Sequence, residues 1–111
     1  MNFKKQIILT TMIITAILCG CRKHHYKACF TVNKTTANVS DTLTFNNCSD
    51  YDGVDPSKLY IVWNFGDGTN LNLHSNESQQ HKYSTPGKYT ITLGVGDKNP
   101  GDQTSQVITI Q

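Results

Sequence analysis

A small all-β sandwich is the fold that this sequence predicts, and three observations carry the expectation. From Ala28 onward apolar and polar residues alternate with period two in several short stretches, and no stretch keeps a period of 3.6. Clusters of Gly, Asn, Asp and Pro separate the alternating runs. Charged residues are 16% of the 111-residue chain, below the roughly 25% of an ordinary soluble protein, and Thr, Asn, Ser and Gly fill the difference. That is the composition of a β-rich extracytoplasmic domain, and the length allows one domain at most.

The chain opens on Lys4 and Lys5 ahead of Ile7, Ile8, Leu9, Met12, Ile13, Ile14, Ala16, Ile17 and Leu18. A basic start with a roughly 13-residue apolar core describes an export signal over residues 1–20, too short for the about 20 residues that span a bilayer. Leu18-Cys19-Gly20-Cys21 resembles the lipobox of bacterial lipoproteins. The resemblance implies that Cys21 is the first mature residue, carrying two acyl chains on its thiol and one on its amine. Each buried CH₂ contributes about 0.8 kcal/mol, so several chains anchor stably where one does not. Cys19 is the poorer acceptor, because Ile17 and Leu18 stand where small residues belong. Arg22, rather than Asp, follows Cys21, which favours the outer membrane in a Gram-negative envelope.

Residues 21–27 then read as a tether bearing Arg22, Lys23 and Lys27, able to lie on anionic headgroups at about 1 kcal/mol per charge or to remain solvated. Ten basic residues face eight acidic ones over the whole chain. Loss of the signal removes two lysines and balances the charges, so nucleic acid is a poor partner.

The body is expected over residues 28–111. Phe30 and Val32 mark one strand, Leu43 and Phe45 a second, Leu59, Ile61, Trp63 and Phe65 a third, and Tyr89, Ile91, Leu93 and Val95 a fourth. Val107, Ile108 and Ile110 mark a closing strand, and a weaker one falls in Ser78 to Lys82. Six or seven short strands make a β-sandwich, near the lower size limit for a self-sufficient core. Cys29 and Cys48, the cysteines left after export and lipidation, sit by parity on outer faces of neighbouring strands. An oxidising compartment lets them bridge, closing about 20 residues at roughly 3 kcal/mol. A metal-binding thiol pair would call for C-x-x-C spacing or a local His partner, and neither cysteine has one.

Trp63-Asn64-Phe65-Gly66-Asp67-Gly68-Thr69, followed by His81-Lys82-Tyr83-Ser84-Thr85-Pro86-Gly87-Lys88-Tyr89-Thr90-Ile91-Thr92-Leu93, resembles the signature of the polycystic-kidney-disease (PKD) type of immunoglobulin-like domain. Phe30, Phe45 and Ser49-Asp50-Tyr51-Asp52-Gly53 fit its opening pattern. Two positions depart: Asn64 stands where the family usually has Asp, and Tyr51 where Pro is common. Read physically, Trp63 and Phe65 enter the core while Asn64 faces out. Gly66 and Gly68 take backbone angles closed to other residues, and Asp67 accepts hydrogen bonds from turn amides. Pro86-Gly87 reverses the chain between Tyr83 and Tyr89, whose phenols are expected to bond to backbone, with His81 supporting the same corner.

Some PKD-type domains bind calcium, and the resemblance assigns such a site to Asp50, Asp52 and Asp97. Three carboxylates begin an oxygen cage, but calcium takes six to eight oxygens, and His24-His25-Tyr26-Lys27 offers cations where further oxygens would come from. No other cofactor is implied. His24 and His25 form no transition-metal site once Cys21 is acylated and Cys29 bridged. The serines near His74 and His81 lack an elbow motif, so no catalytic residues are assigned. The expected function is binding or adhesion at the bacterial envelope by a monomeric domain. Glycan or envelope protein is the partner class, and an accessory or structural subunit of an envelope complex is the alternative. Immunoglobulin-like topology places Asp50, Asp52 and Asp97 at the tether end, with residues 33–38, 66–70 and 84–88 on a polar rim at the other.

Overall fold

The computed structural model describes residues 25–97 and 100–111, with the backbone alone at Pro56 and Pro100. The export signal, Cys21 and the tether through His24 lie outside the described residues.

Among the described residues, ten strands form three sheets. They are β1 (His25–Lys27), β2 (Phe30–Val32), β3 (Thr36–Ala37), β4 (Leu43–Asn47), β5 (Asp50–Asp52), β6 (Tyr60–Asn64), β7 (Asn70–Leu73), β8 (Gln79–His81), β9 (Gly87–Gly96) and β10 (Pro100–Ile110). A 3₁₀ turn, Pro56–Lys58, leads into β6. The large sheet has the order β3-β10-β9-β6-β7, the smaller one β2-β4-β8, and β1 pairs with β5 at one end. Pairing is antiparallel except at β3, which runs parallel to the end of β10.

All six strands expected from the alternation are present. The four extra ones, β1, β3, β5 and β7, are two to four residues long. β7, Asn70-Leu71-Asn72-Leu73, does alternate, with half-buried leucines and exposed asparagines, whereas β1, β3 and β5 carry no apolar run. β1 also changes the reading of the tether, because His25–Lys27 are ordered as a strand against Asp50–Asp52.

Alternation fixes the two faces of each long strand. Ile61 and Trp63 from β6, Phe65 just beyond it, Ile91, Leu93 and Val95 from β9, and Leu43 and Phe45 from β4 have no solvent exposure. The aromatics meet between the sheets. Trp63 lies 5.3 Å from Phe30 edge to face, 6.0 Å from Phe45 tilted, and 6.0 Å from Phe65 in parallel. Offset and T-shaped ring pairs contribute about 0.5–1.5 kcal/mol each beyond area burial. The Trp63 Nε1 is buried with no hydrogen-bond partner among the described residues, a cost the aromatic packing offsets.

Cys29 and Cys48 are bridged, with Cα atoms 4.8 Å apart. They flank paired β2 and β4, and the Cys48 amide donates to the Cys29 carbonyl at 2.9 Å. Ser49 completes this corner by accepting from the Cys29 amide and donating to its carbonyl. Because the bridge spans a sequence separation of 19, replacing both cysteines with Ala is expected to lower the unfolding free energy by about 3 kcal/mol. Urea denaturation of the two proteins measures it; equal midpoints would remove the bridge from the account of stability.

Candidate functional site

The signature residues form one corner of the sandwich. The chain leaves β6 at Phe65 and re-enters the sheet at β7 through Gly66 to Thr69. Phe65 N–H donates to the Thr69 carbonyl, Gly66 N–H to Asn64 Oδ1, and Thr69 N–H to Asp67 Oδ1, at 2.9–3.1 Å. Gly66 has φ +81°, and a Cβ there would lie 2.6 Å from the Thr90 carbonyl oxygen of β9. Gly68 has φ +93° with open space around it. Positive φ handicaps any other residue at both positions, but at Gly66 backbone would also block the side chain.

Tyr83, in the loop after β8, is buried and donates its hydroxyl to the Phe65 carbonyl at 2.7 Å. Burial first, then the charge of Asp67 and the neighbouring Tyr89, hold that hydroxyl above the ordinary phenol range, which keeps it a donor. Tyr89 donates to the Thr85 carbonyl at 2.6 Å and closes the Pro86-Gly87 reversal. His81 stacks on Phe65 at 4.3 Å and meets Tyr83 edge to face at 4.7 Å. Its Nε2 lies 2.7 Å from Asp67 Oδ2. An ionised carboxylate only accepts, so Nε2 carries the proton in this pair. Partial burial opposes the charge on Asp67, but hydrogen bonds from His81 and Thr69 outweigh it and hold the carboxyl below its ordinary 3.8. These groups act as a clip, each occupied by another part of the corner.

At the opposite end, Asp50 and Asp52 on β5 lie across from Lys27 and His25 on β1. Asp97 follows β9 and faces Tyr26, whose hydroxyl is pushed above its ordinary value by burial and then by the Asp97 charge. Asp102 accepts from the Ala28 amide at 2.8 Å. No three His, Cys, Asp or Glu side chains gather into a metal-holding group among the described residues. Asp50 and Asp52 stand opposite Lys27 and His25, and among the described residues they and Asp97 are not gathered into a three-membered donor group.

The register puts residues 33–38, 66–70 and 84–88 together at the end away from β1. This rim is tied down. Ser40 N–H donates to the Tyr83 carbonyl, Gln111 N–H to Ala37 and Val39 N–H to Gln111, while Lys34 pairs with Asp41 at 3.8 Å.

A groove on the outer face of the large sheet was not legible in the sequence. Val62 and Asn64 of β6, Asn70 of β7, Thr92 and Gly94 of β9 and Gln103 of β10 line it, with a volume of about 240 Å³. The register explains its shape: Gly94 stands between Val62 and Gln103, and Gly96 stands opposite Tyr60. Gly94 and Gly96, the third-last and last residues of β9, are buried and lack the side chains that the flanking strands carry. Glycines inside a strand mark close approach of a ligand or another backbone, so Gly94-Val95-Gly96 was the available signal.

Against this geometry, the PKD domain family model matches residues 27–110. The chain belongs to the PKD domain family. No curated protein matches it significantly. A solved structure described as the structural basis for the promiscuous specificity of carbohydrate-binding modules from the β-sandwich superfamily is 25% identical, with TM-score 0.69 over 81% of this chain. The present PKD domain chain covers 36% of that one, about a third of its length. The PKD domain of the human VPS10 domain-containing receptor SorCS2 aligns at TM-score 0.57 and 14% identity, covering 81% of this chain and 73% of that one, and shares the fold.

Two expectations come from the corner. Gly66→Ala destabilises more than Gly68→Ala, since only the former meets backbone, and thermal melts of both variants rank them. Asp67 has a folded-state carboxyl below its ordinary value, so it stabilises the fold above about pH 3.8, and that contribution is lost as pH falls through the lowered value. Unfolding measured from pH 6 to pH 2 should show a shallower acid decline in Asp67→Asn than in the parent. Parallel profiles would take Asp67 out of the acid response.

Proposed function

We propose that this PKD-domain chain is a lipid-anchored, non-catalytic binding module of a bacterial envelope, holding a polar partner of the glycan or protein class. The observation that carries the reading is the uncharged, amide-lined groove on the open sheet face, on a domain whose charged signature residues are engaged in structural bonds. Family membership supports a binding-type β-sandwich. The similar structure described in terms of carbohydrate-binding modules brings glycan forward as a partner class. The anchor rests on the sequence: the export signal, the lipobox ending at Cys21 and the short tether. With β1 ordered from His25, residues 21–24 separate the acyl chains from the sandwich, so the domain sits close to the membrane with the Asp50, Asp52 and Asp97 end toward it.

Metabolic labelling with an alkyne fatty acid followed by membrane fractionation tests the anchor. The full-length protein should be labelled and sediment with membranes, whereas Cys21→Ser should be unlabelled and recovered in the soluble fraction. Label retained on Cys21→Ser would place the acyl chains elsewhere. Crosslinking of both forms in native membranes then distinguishes an envelope protein partner, recovered with the lipidated form, from a glycan partner.

A further inference from the structure

We propose that the groove across β6, β7, β9 and β10 is a binding cleft for an uncharged, linear polysaccharide chain, with Tyr60 as the platform at one end. The inference deepens the binding-module reading and rests on it.

Three features select the ligand. The first is unused hydrogen-bonding capacity. Asn70 and Gln103 line the groove and Asn72 stands beside Val62, yet among the described residues nothing bonds to these three side-chain amides. Asn64 uses its Oδ1 on the Gly66 amide and keeps its Nδ2 donors. Thr92 and Ser105 satisfy each other at 2.9 Å. An amide offers donors and an acceptor on one rigid plane, the complement of neighbouring hydroxyls that each donate and accept.

The second feature is the absence of charge. None of the six lining residues is ionisable. An acidic polysaccharide or a phosphorylated ligand would find no cation in the cleft, and a basic peptide no carboxylate.

The third is position on the sheet. β6 and β9 are paired on both sides, so their backbone groups are already bonded. A peptide docking by strand addition would use the free edge of β7, whereas a ligand laid over β6 and β9 depends on side chains alone. Val62 and the bare Gly94 make the apolar floor, and Tyr60 continues the same face two residues, about 7 Å, along β6. Its partly buried ring is braced edge to face by His74 at 6.3 Å, and Gly96 opposite leaves that flank without a side chain. An aromatic surface in line with precisely spaced polar groups is the usual makeup of a small-ligand site. At about 240 Å³ the cleft falls below the roughly 300–1,000 Å³ of enclosing pockets, which suits a chain passing through.

The test titrates full-length, detergent-solubilised protein calorimetrically with neutral cello-, malto- and manno-oligosaccharides of two to six units, and with oligogalacturonate as the acidic control. At least one neutral series should bind, tightening with length as the ligand reaches Tyr60. The double variant Asn70→Ala with Gln103→Ala should lose about tenfold in affinity, the equivalent of two hydrogen bonds, with an unchanged melting temperature. Gly94→Val should fill the floor and abolish binding; should it misfold, the amide double variant decides alone. A rim variant, Thr85→Ala with Lys88→Ala, should bind as the parent does. Neutral binding that survives the amide double variant but fails in the rim variant overturns the cleft and leaves the binding-module reading standing. Preference for oligogalacturonate, or no neutral series bound, also overturns the cleft, and recovery of a crosslinked envelope protein then decides the broader reading separately.

Discussion

The hydrogen bond from the Tyr83 hydroxyl to the Phe65 carbonyl joins the two sheets at the point where both chains turn. Tyr83 follows the edge strand of the smaller sheet and Phe65 follows a central strand of the larger one. Leaving either group buried and unpaired costs about 1–3 kcal/mol, so the corner has little freedom to slide. His81 against Phe65 and Asp67 against His81 extend the same lock to the Gly-Asp-Gly turn. Gly66 then lets that turn close onto the Thr90 backbone. The corner adjoins the end of the β6–β9 pairing at Asn64 and Thr92, whose register sets which side chains face outward into the groove.

Core packing and the groove therefore occupy different faces of the same strands. Inward residues of β6 and β9 are Ile61, Trp63, Ile91, Leu93 and Val95, all without exposure. The outward residues between them are Tyr60, Val62, Asn64, Thr92, Gly94 and Gly96. Since strand side chains alternate, the exposed outward position Asn64 can change with less effect on the core than its inward neighbours Trp63 and Phe65. The family signature is consequently carried mainly by inward and turn residues, while the groove is lined by outward ones.

The tether end shows a second separation. The disulfide, Ser49 and Asp102 hold the start of β2 and the stretch before it in place, and β1 lies against β5 with Lys27 and His25 opposite Asp50 and Asp52. The arrangement uses acidic residues as cross-strand neighbours of cations. Spacing in the sequence could suggest a shared oxygen cage for Asp50, Asp52 and Asp97 but could not show that Asp50 and Asp52 stand opposite Lys27 and His25.

What the sequence determined on its own was everything that depends on local pattern. Period-two alternation marked the long strands and their buried faces, down to Trp63 and Phe65 inward with Asn64 outward. Gly66-Asp67-Gly68 and Pro86-Gly87 marked turns, because only certain residues tolerate those backbone angles. Parity and compartment together pointed to Cys29 and Cys48 as a pair. The short strand β7 escaped although Asn70-Leu71-Asn72-Leu73 alternates, and β3, β5 and the ordering of β1 escaped since they carry no apolar alternation and form strands through partners remote in sequence. The groove escaped for the same reason: Asn64, Asn70, Thr92, Gly94 and Gln103 come from four strands, and only interstrand register, a property of the folded chain, brings them side by side.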